Sequence, residues 1–122
     1  FVEMTGELGP LDWKFIKEVN ADIEKNLQKT EYNINALSAS LCMSRTSFYN
    51  KIKALTGQAP SEYVRLIRLK HAARMLKDGV YNITEVAERT GFNDPKYFRE
   101  VFKKYYKVAP SQYASGESSY TV

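Results

Sequence analysis

Cysteine, histidine and tryptophan each occur once in this 122-residue chain, as Cys42, His71 and Trp13. A lone cysteine excludes an internal disulfide and suits a reducing compartment. One cysteine and one histidine cannot assemble a zinc site of the usual four-ligand kind. No apolar run approaches the roughly 20 residues that a membrane-spanning helix needs, and no secretory leader is expected. Glycine loops that cradle phosphate and nucleophile–base pairs are also missing, so no catalytic residue, metal or cofactor is expected. The chain opens on Phe1 rather than Met. It is expected to be an excised piece of a longer protein, cytoplasmic or on the cytoplasmic side of a membrane-anchored parent.

What is present is a globular balance, 43% apolar and 26% charged, in a length that suits one ordinary domain or two very small ones. The net charge of +4 hides an uneven distribution. Residues 1–31 carry seven acids against four bases, whereas residues 44–77 carry eight bases against Glu62 alone. Residues 89–107 carry six bases against Asp94 and Glu100. Two basic segments around a short acidic stretch fit two contacts with a polyanion, and they also fit solvated helix surface. Charge alone does not separate these readings.

A repeat does. Residues 52–63 read IKALTGQAPSEY and residues 102–113 read FKKYYKVAPSQY. Upstream of them, Ile83 matches Ile34 and Val86 matches Leu37 at an offset of forty-nine, while Phe98 matches Phe48 and Pro110 matches Pro60 at fifty. The change of offset falls where Cys42-Met43-Ser44 is replaced by Gly91-Phe92-Asn93-Asp94. An insertion belongs in a loop, so a folded unit has been duplicated.

The periodicity predicts an all-α chain. A linker over residues 1–11 precedes a helix capped by Asp12 and running to about Lys29, with Trp13 anchoring a stripe of Ile16, Val19, Ile23 and Leu27. Asn33 or Asn35 caps a short helix with Ala36, Leu37 and Leu41 inside. Ser44 caps the next, whose Phe48, Ile52 and Leu55 share one face before Gly57 ends it. Pro60 opens a long helix to Asp78-Gly79, apolar on more than one side and read as a bridge between two small lobes. Thr84 caps the first helix of the second unit, Gly91 permits a positive φ at its turn, and Asp94-Pro95 starts a basic helix ending near Tyr106. The expected division is a first subdomain over 12–58, the bridge over 59–79, a second subdomain over 80–113 and a frayed tail over 114–122. Phe48, Phe98 and Phe102 are expected in the core, Cys42 as a small packed hydrophobe, and His71 exposed or close to phosphate.

Each unit is thus a short helix, a tight turn and a second helix, apolar inside and basic outside. That is a helix-turn-helix pattern, in which small residues such as Ala87 and Gly91 let the helices cross closely. Two copies at fixed spacing are a far stronger signal than one. The residues then become recognisable. Ser44-Arg45 with Phe48, Gly57, Pro60 and Tyr63, then Arg68-Leu69 with Ala72 and Leu76, belong to the pattern. So do Ile83-Thr84-Glu85-Val86-Ala87, Gly91-Phe92-Asn93-Asp94, Tyr97-Phe98, Phe102-Lys103 and Pro110-Ser111-Gln112-Tyr113. From Asp12 to Tyr113 the chain resembles the DNA-binding domain of AraC/XylS-family transcription regulators. The stretch YNKIKALTGQAPSEYVRLIRLKHAA (49–73) is similar to output domains of Bacteroidetes hybrid two-component sensors. One departure stands out: Lys107 occupies the place of a family glycine, present in the first copy as Gly57.

The resemblance implies two helix-turn-helix subdomains joined by a bridging helix, about seven helices in all, with two recognition helices in successive major grooves about 34 Å apart. It also implies double-stranded DNA and RNA polymerase as partners, no membrane contact by this fragment, and dimerisation, if any, through the parent chain. Helical geometry puts Arg45, Thr46, Tyr49, Asn50 and Lys53 on the outer side of the first recognition helix. On the second it puts Lys96, Tyr97, Arg99, Glu100 and Lys103 there. Asn50 has the chemistry to read adenine, Arg99 guanine and Glu100 cytosine N4, or Glu100 orients a neighbouring Arg. Arg45, Lys53 and Lys103 suit phosphate contacts. The reading from another class is a basic helical interaction module that binds an acidic protein. It accounts for the charge but not for the doubled turn chemistry.

Overall fold

The computed structural model describes residues 9–116, and every regular element among them is an α-helix. In chain order these are α1 (Pro10–Lys25), α2 (Ile34–Ser40), α3 (Arg45–Thr56), α4 (Pro60–Asp78), α5 (Ile83–Arg89), α6 (Pro95–Tyr106) and α7 (Pro110–Ala114). The expected all-α class of about seven helices is the one adopted. The chain divides into two compact units between Ile67 and Arg68, inside α4. Of the segments read as linker and tail, residues 1–8 and 117–122 lie outside the described residues.

The core of the first unit gathers Phe15, Ile16, Val19 and Ile23 of α1 around Leu37, Phe48, Ile52 and Tyr63. Three expectations for α1 fail here. The helix starts at Pro10 behind Gly9, not at an Asp12 cap, because proline at the first position needs no N–H partner and has its φ preset. Asp12 instead sits in the first turn, where a carboxylate favours the positive helix end. Trp13 is not the anchor: it is 47% exposed, while Phe15 is buried and meets Phe48 edge-on at 6.1 Å. Trp13 and Phe15 lie on opposite edges of the stripe formed by Ile16, Val19 and Ile23, and the contact with Phe48 decides for Phe15. The helix also ends at Lys25 rather than Lys29, because Asn26 takes the C-cap and its side-chain amide donates to the Asp22 carbonyl at 2.8 Å.

The turns show how literal the duplication is. Asn33 and Asn82, forty-nine apart, cap α2 and α5 by accepting from the Ala36 and Glu85 N–H groups at 3.0 and 2.8 Å. Asn82 therefore displaces the expected Thr84 cap. Glu85 completes a reciprocal box by accepting from the Asn82 N–H at 3.0 Å. Both helices leave through the same Schellman turn: Met43 N–H donates to Ser38 at 3.0 Å and Phe92 N–H to Ala87 at 2.9 Å. The turn needs a left-handed residue, supplied by Gly91 with φ 83° and by Cys42 with φ 57°. Cys42 is exposed there, not packed as a hydrophobe. Inside α2, Ala36 is exposed and Ser38 is buried in its place, with its hydroxyl satisfied by the Asn35 carbonyl at 3.2 Å.

Ser44 and Asp94, now fifty apart, cap α3 and α6. The single inserted residue is thus Asn93, after the Schellman turn and before the cap. At the exits, Gly57 has φ 75° and Lys107 has φ 70°, and each donates its N–H to the carbonyl four residues back. The lysine has not altered the exit. It adopts the glycine conformation despite its Cβ.

In the second unit, Val86, Ala87, Phe92, Phe98 and Phe102 are buried. Phe102 stacks on Tyr106 at 4.5 Å and meets Tyr113 edge-on at 5.3 Å, which fastens α7 to α6. Arg68 of α4 is buried as well, and its guanidinium donates to the Thr90 carbonyl at 2.8 Å, bracing the end of α5. That carbonyl sits one residue before the turn that aims α6.

Two stability outcomes follow from these packing facts. Lys107→Gly is expected to stabilise the chain by up to about 1 kcal/mol and Gly57→Ala to destabilise it by about 1 kcal/mol, since only one of the two carries a Cβ in the left-handed region. Urea denaturation followed by helix circular dichroism measures both, and shifts of the same sign would refute the account. The second outcome concerns Tyr63, whose hydroxyl donates to Asn20 at 2.7 Å. Burial pushes its pKa up to about 12 from the ordinary 10. Because the unfolded phenol ionises first, this contribution to stability is complete below pH 10 and is lost as pH rises to about 12. Denaturation midpoints across about pH 8 to 12 are expected to fall less steeply in Tyr63→Phe, which starts roughly 1 kcal/mol lower because Asn20 loses its donor.

Candidate nucleic-acid interface

A helix can present a face to a partner only if its opposite side is held. In α3 that hold comes from Phe48 and Ile52, both fully buried, with the N-terminus fixed by the Ser44 hydroxyl accepting from the Ser47 N–H at 3.1 Å. Thr56 closes the helix by donating its hydroxyl to the Ile52 carbonyl at 2.7 Å. With this register set, Arg45, Thr46, Tyr49, Asn50 and Lys53 all lie exposed on the other side. In α6 the equivalent hold is Phe98 and Phe102, both fully buried, and the Asp94 carboxylate accepts from the Lys96 N–H at 2.9 Å. Lys96, Tyr97, Arg99, Glu100 and Lys103 are exposed. Each sequence-derived set of five thus shares one face of one helix, the first set in one unit and the second in the other.

The faces differ in texture. Beside α3, an open hollow is lined by Ile34, Arg45, Thr46 and Tyr49, so an apolar side chain from α2 joins the exposed face of α3. Ile34 carries no charge or hydrogen-bonding side chain, so no local signal nominates it. In α6, Tyr97 is 43% exposed and leans on Phe92 with ring centroids 6.3 Å apart. Lys104 and Lys107 add exposed positive charge next to Lys103.

The structure also sorts the basic residues that the charge count pooled. Arg68 is buried on the Thr90 carbonyl, Lys51 sits 4.4 Å above the Phe15 ring and Lys77 lies 4.7 Å above Tyr113. Arg89 lies 4.0 Å over Tyr81. Arg68 is thus engaged by a hydrogen bond within the domain, and the other three cations by ring faces. The positive segments are therefore part scaffold and part exposed face. His71 is half-buried in α4 rather than exposed.

One hydrogen-bonded bracket was not visible in the sequence. Asp22 of α1 accepts from Ser40 at 2.8 Å and from the Tyr32 hydroxyl, tying the end of α2 and the preceding loop to α1. The Ser40–Asp22 contact spans eighteen residues, beyond the reach of any local pattern. Among the described residues no helix is long and apolar enough to cross a membrane.

Comparison with known proteins agrees with this geometry. Residues 37–116 match the family model of a helix-turn-helix domain, a span that runs from α2 through α7. Over 106 residues the chain is 37% identical to a protein named histidine kinase P4 from Formosa agariphila, covering 87% of this chain and 8% of that protein. It is 34% identical over 114 residues to the HTH-type transcriptional regulator MtrA of Neisseria gonorrhoeae, covering 92% of this chain and 37% of that one. The chain therefore spans well under half the length of these relatives. The crystal structure of the AdpA DNA-binding domain, solved in complex with a target DNA, superposes with a TM-score of 0.74 at 31% identity, covering 83% of this chain and 90% of that one. With two capped helix pairs in one chain and a family match across both, the chain belongs to the AraC-type helix-turn-helix family of transcription regulators.

Proposed function

We propose that the chain binds double-stranded DNA with sequence selectivity, as the output domain of a bacterial transcription regulator. The observation that carries this reading is the matched pair α3 and α6. Each is capped at its start, backed by a fully buried phenylalanine, and exposes five side chains suited to phosphate or base edges. The DNA complex of the AdpA domain supports it by likeness. On the duplex, α3 and α6 enter successive major grooves. Arg45, Lys53 and Lys103 contact phosphates, while Thr46, Tyr49, Asn50, Lys96, Tyr97, Arg99 and Glu100 face the bases. Such a domain carries no reaction of its own.

The likeness to a protein named histidine kinase supports a parent chain of the hybrid two-component kind, in which a sensor kinase controls this domain. Signal reception and dimerisation then belong to the parent chain, RNA polymerase is a partner at the promoter, and the domain works in the cytoplasm.

Titration against duplex DNA at several salt concentrations tests the central reading. Counterion release makes log affinity fall linearly with log salt, and Lys53→Ala and Lys103→Ala are each expected to reduce that slope by about 1. A folded chain that binds an acidic protein but no duplex at low salt would sink the proposal in favour of the protein-interaction module.

A further inference from the structure

We infer that the outward residues of α3 select an A·T box and those of α6 a box containing G·C pairs. This rests on the DNA-binding reading above. The two helices are structural equivalents, with Phe48 matching Phe98 at the buried centre and Gly57 matching Lys107 at the left-handed exit. Their outer positions can therefore be compared one to one at an offset of fifty. Thr46 corresponds to Lys96, Tyr49 to Arg99, Asn50 to Glu100 and Lys53 to Lys103. Only the last pair is alike. A duplication that kept a capped start and a phenylalanine at the buried centre has replaced each central outward residue with one of different chemistry.

The replacements have a direction. The central positions of α3 are neutral: a hydroxyl beside a methyl, a phenol and a carboxamide. Adenine offers N7 as acceptor and N6 as donor side by side, which a carboxamide matches with both of its groups. Thymine offers its C5 methyl, which needs an apolar surface. The hollow lined by Ile34, Arg45, Thr46 and Tyr49 provides that surface through Ile34 and the Thr46 methyl, while the long Arg45 side chain can reach a phosphate. The positions of α6 are charged instead. Guanine shows two acceptors, O6 and N7, which match the forked donors of Arg99. Cytosine shows the N4 amine that a carboxylate such as Glu100 can accept from. The carboxylate also works by exclusion, since it faces acceptor oxygens with repulsion at guanine O6 or thymine O4. Adjacent in sequence and both exposed, Arg99 and Glu100 together demand guanine and cytosine.

Selection of bound sequences from a random duplex pool tests this, using the whole chain and its Asn50→Ala, Arg45→Ala, Arg99→Ala and Arg99→Lys variants. All three sites are exposed, so the phenylalanine core is untouched. Circular dichroism checks each fold. The expected result is two unlike boxes. Replacing the selected guanine costs the parent chain about 5- to 150-fold in affinity and costs Arg99→Ala little. Arg99→Lys, which keeps the charge but not the fork, loses the same discrimination. Asn50→Ala relaxes an adenine position in the other box and leaves the guanine intact. Two boxes of like composition, relaxation of the A·T box by Arg99→Ala, or loss of a guanine preference with Arg45→Ala would each overturn the inference while leaving DNA binding in place. Absence of enrichment together with no salt-dependent binding to any duplex would overturn the DNA-binding reading as well.

Discussion

Burial of one phenylalanine at the centre of each second helix is the constraint on which the rest depends. Phe48 and Phe98 are both fully buried, and a helix with its rotation set at one residue has it set at every other. Removing such a ring typically costs 3–5 kcal/mol, against a total stability of roughly 5–15 kcal/mol for a domain. The rotation of α3 and α6 is therefore held by a large share of what holds each unit folded. No outward residue has to contribute to that hold. This frees Thr46, Tyr49, Asn50 and their counterparts to be chosen for a partner.

The surrounding contacts refine that choice of rotation into a defined direction. The caps set where each helix starts, and the Schellman turns set the angle at which it leaves its predecessor. Beyond these local devices, a long-range brace holds the first helix of each pair: Asp22 holds Ser40 at the end of α2, and Arg68 holds the Thr90 carbonyl at the end of α5. A buried guanidinium and a shared carboxylate are different chemistry doing the same task. Duplication preserved the geometry more strictly than the residues. Lys107 makes the same point, since it takes the left-handed conformation of Gly57 at some cost in strain, and the chain still turns into α7.

Much of the fold was legible because its signals are local. Caps such as Ser44 and Asp94, the left-handed Gly57 and Gly91, and the prolines that open α4 and α6 act within four residues of themselves, so their effect is written where they stand. Helical period then put the ten candidate contact residues outside, and they are exposed. The errors fall where the decision was not local. Trp13 and Phe15 are equally plausible anchors on periodicity, and only contact with Phe48 decides for Phe15. Cys42 reads as a hydrophobe between Leu41 and Met43, yet the turn demands a left-handed residue that faces solvent.

By itself, then, the sequence determined the helices, their punctuation, the duplication and the outward register of α3 and α6, because each depends on neighbours in the chain. Only the tertiary structure decided which cations are scaffold and which are surface. Lys51 and Arg68 look like Lys53 and Arg45 in any local window. What distinguishes them is a ring at Phe15 and a carbonyl at Thr90, thirty-six and twenty-two residues away along the chain. The Ile34 wall beside Tyr49 has the same origin, since packing α2 against α3 brings together residues that helical period alone assigns to separate helices.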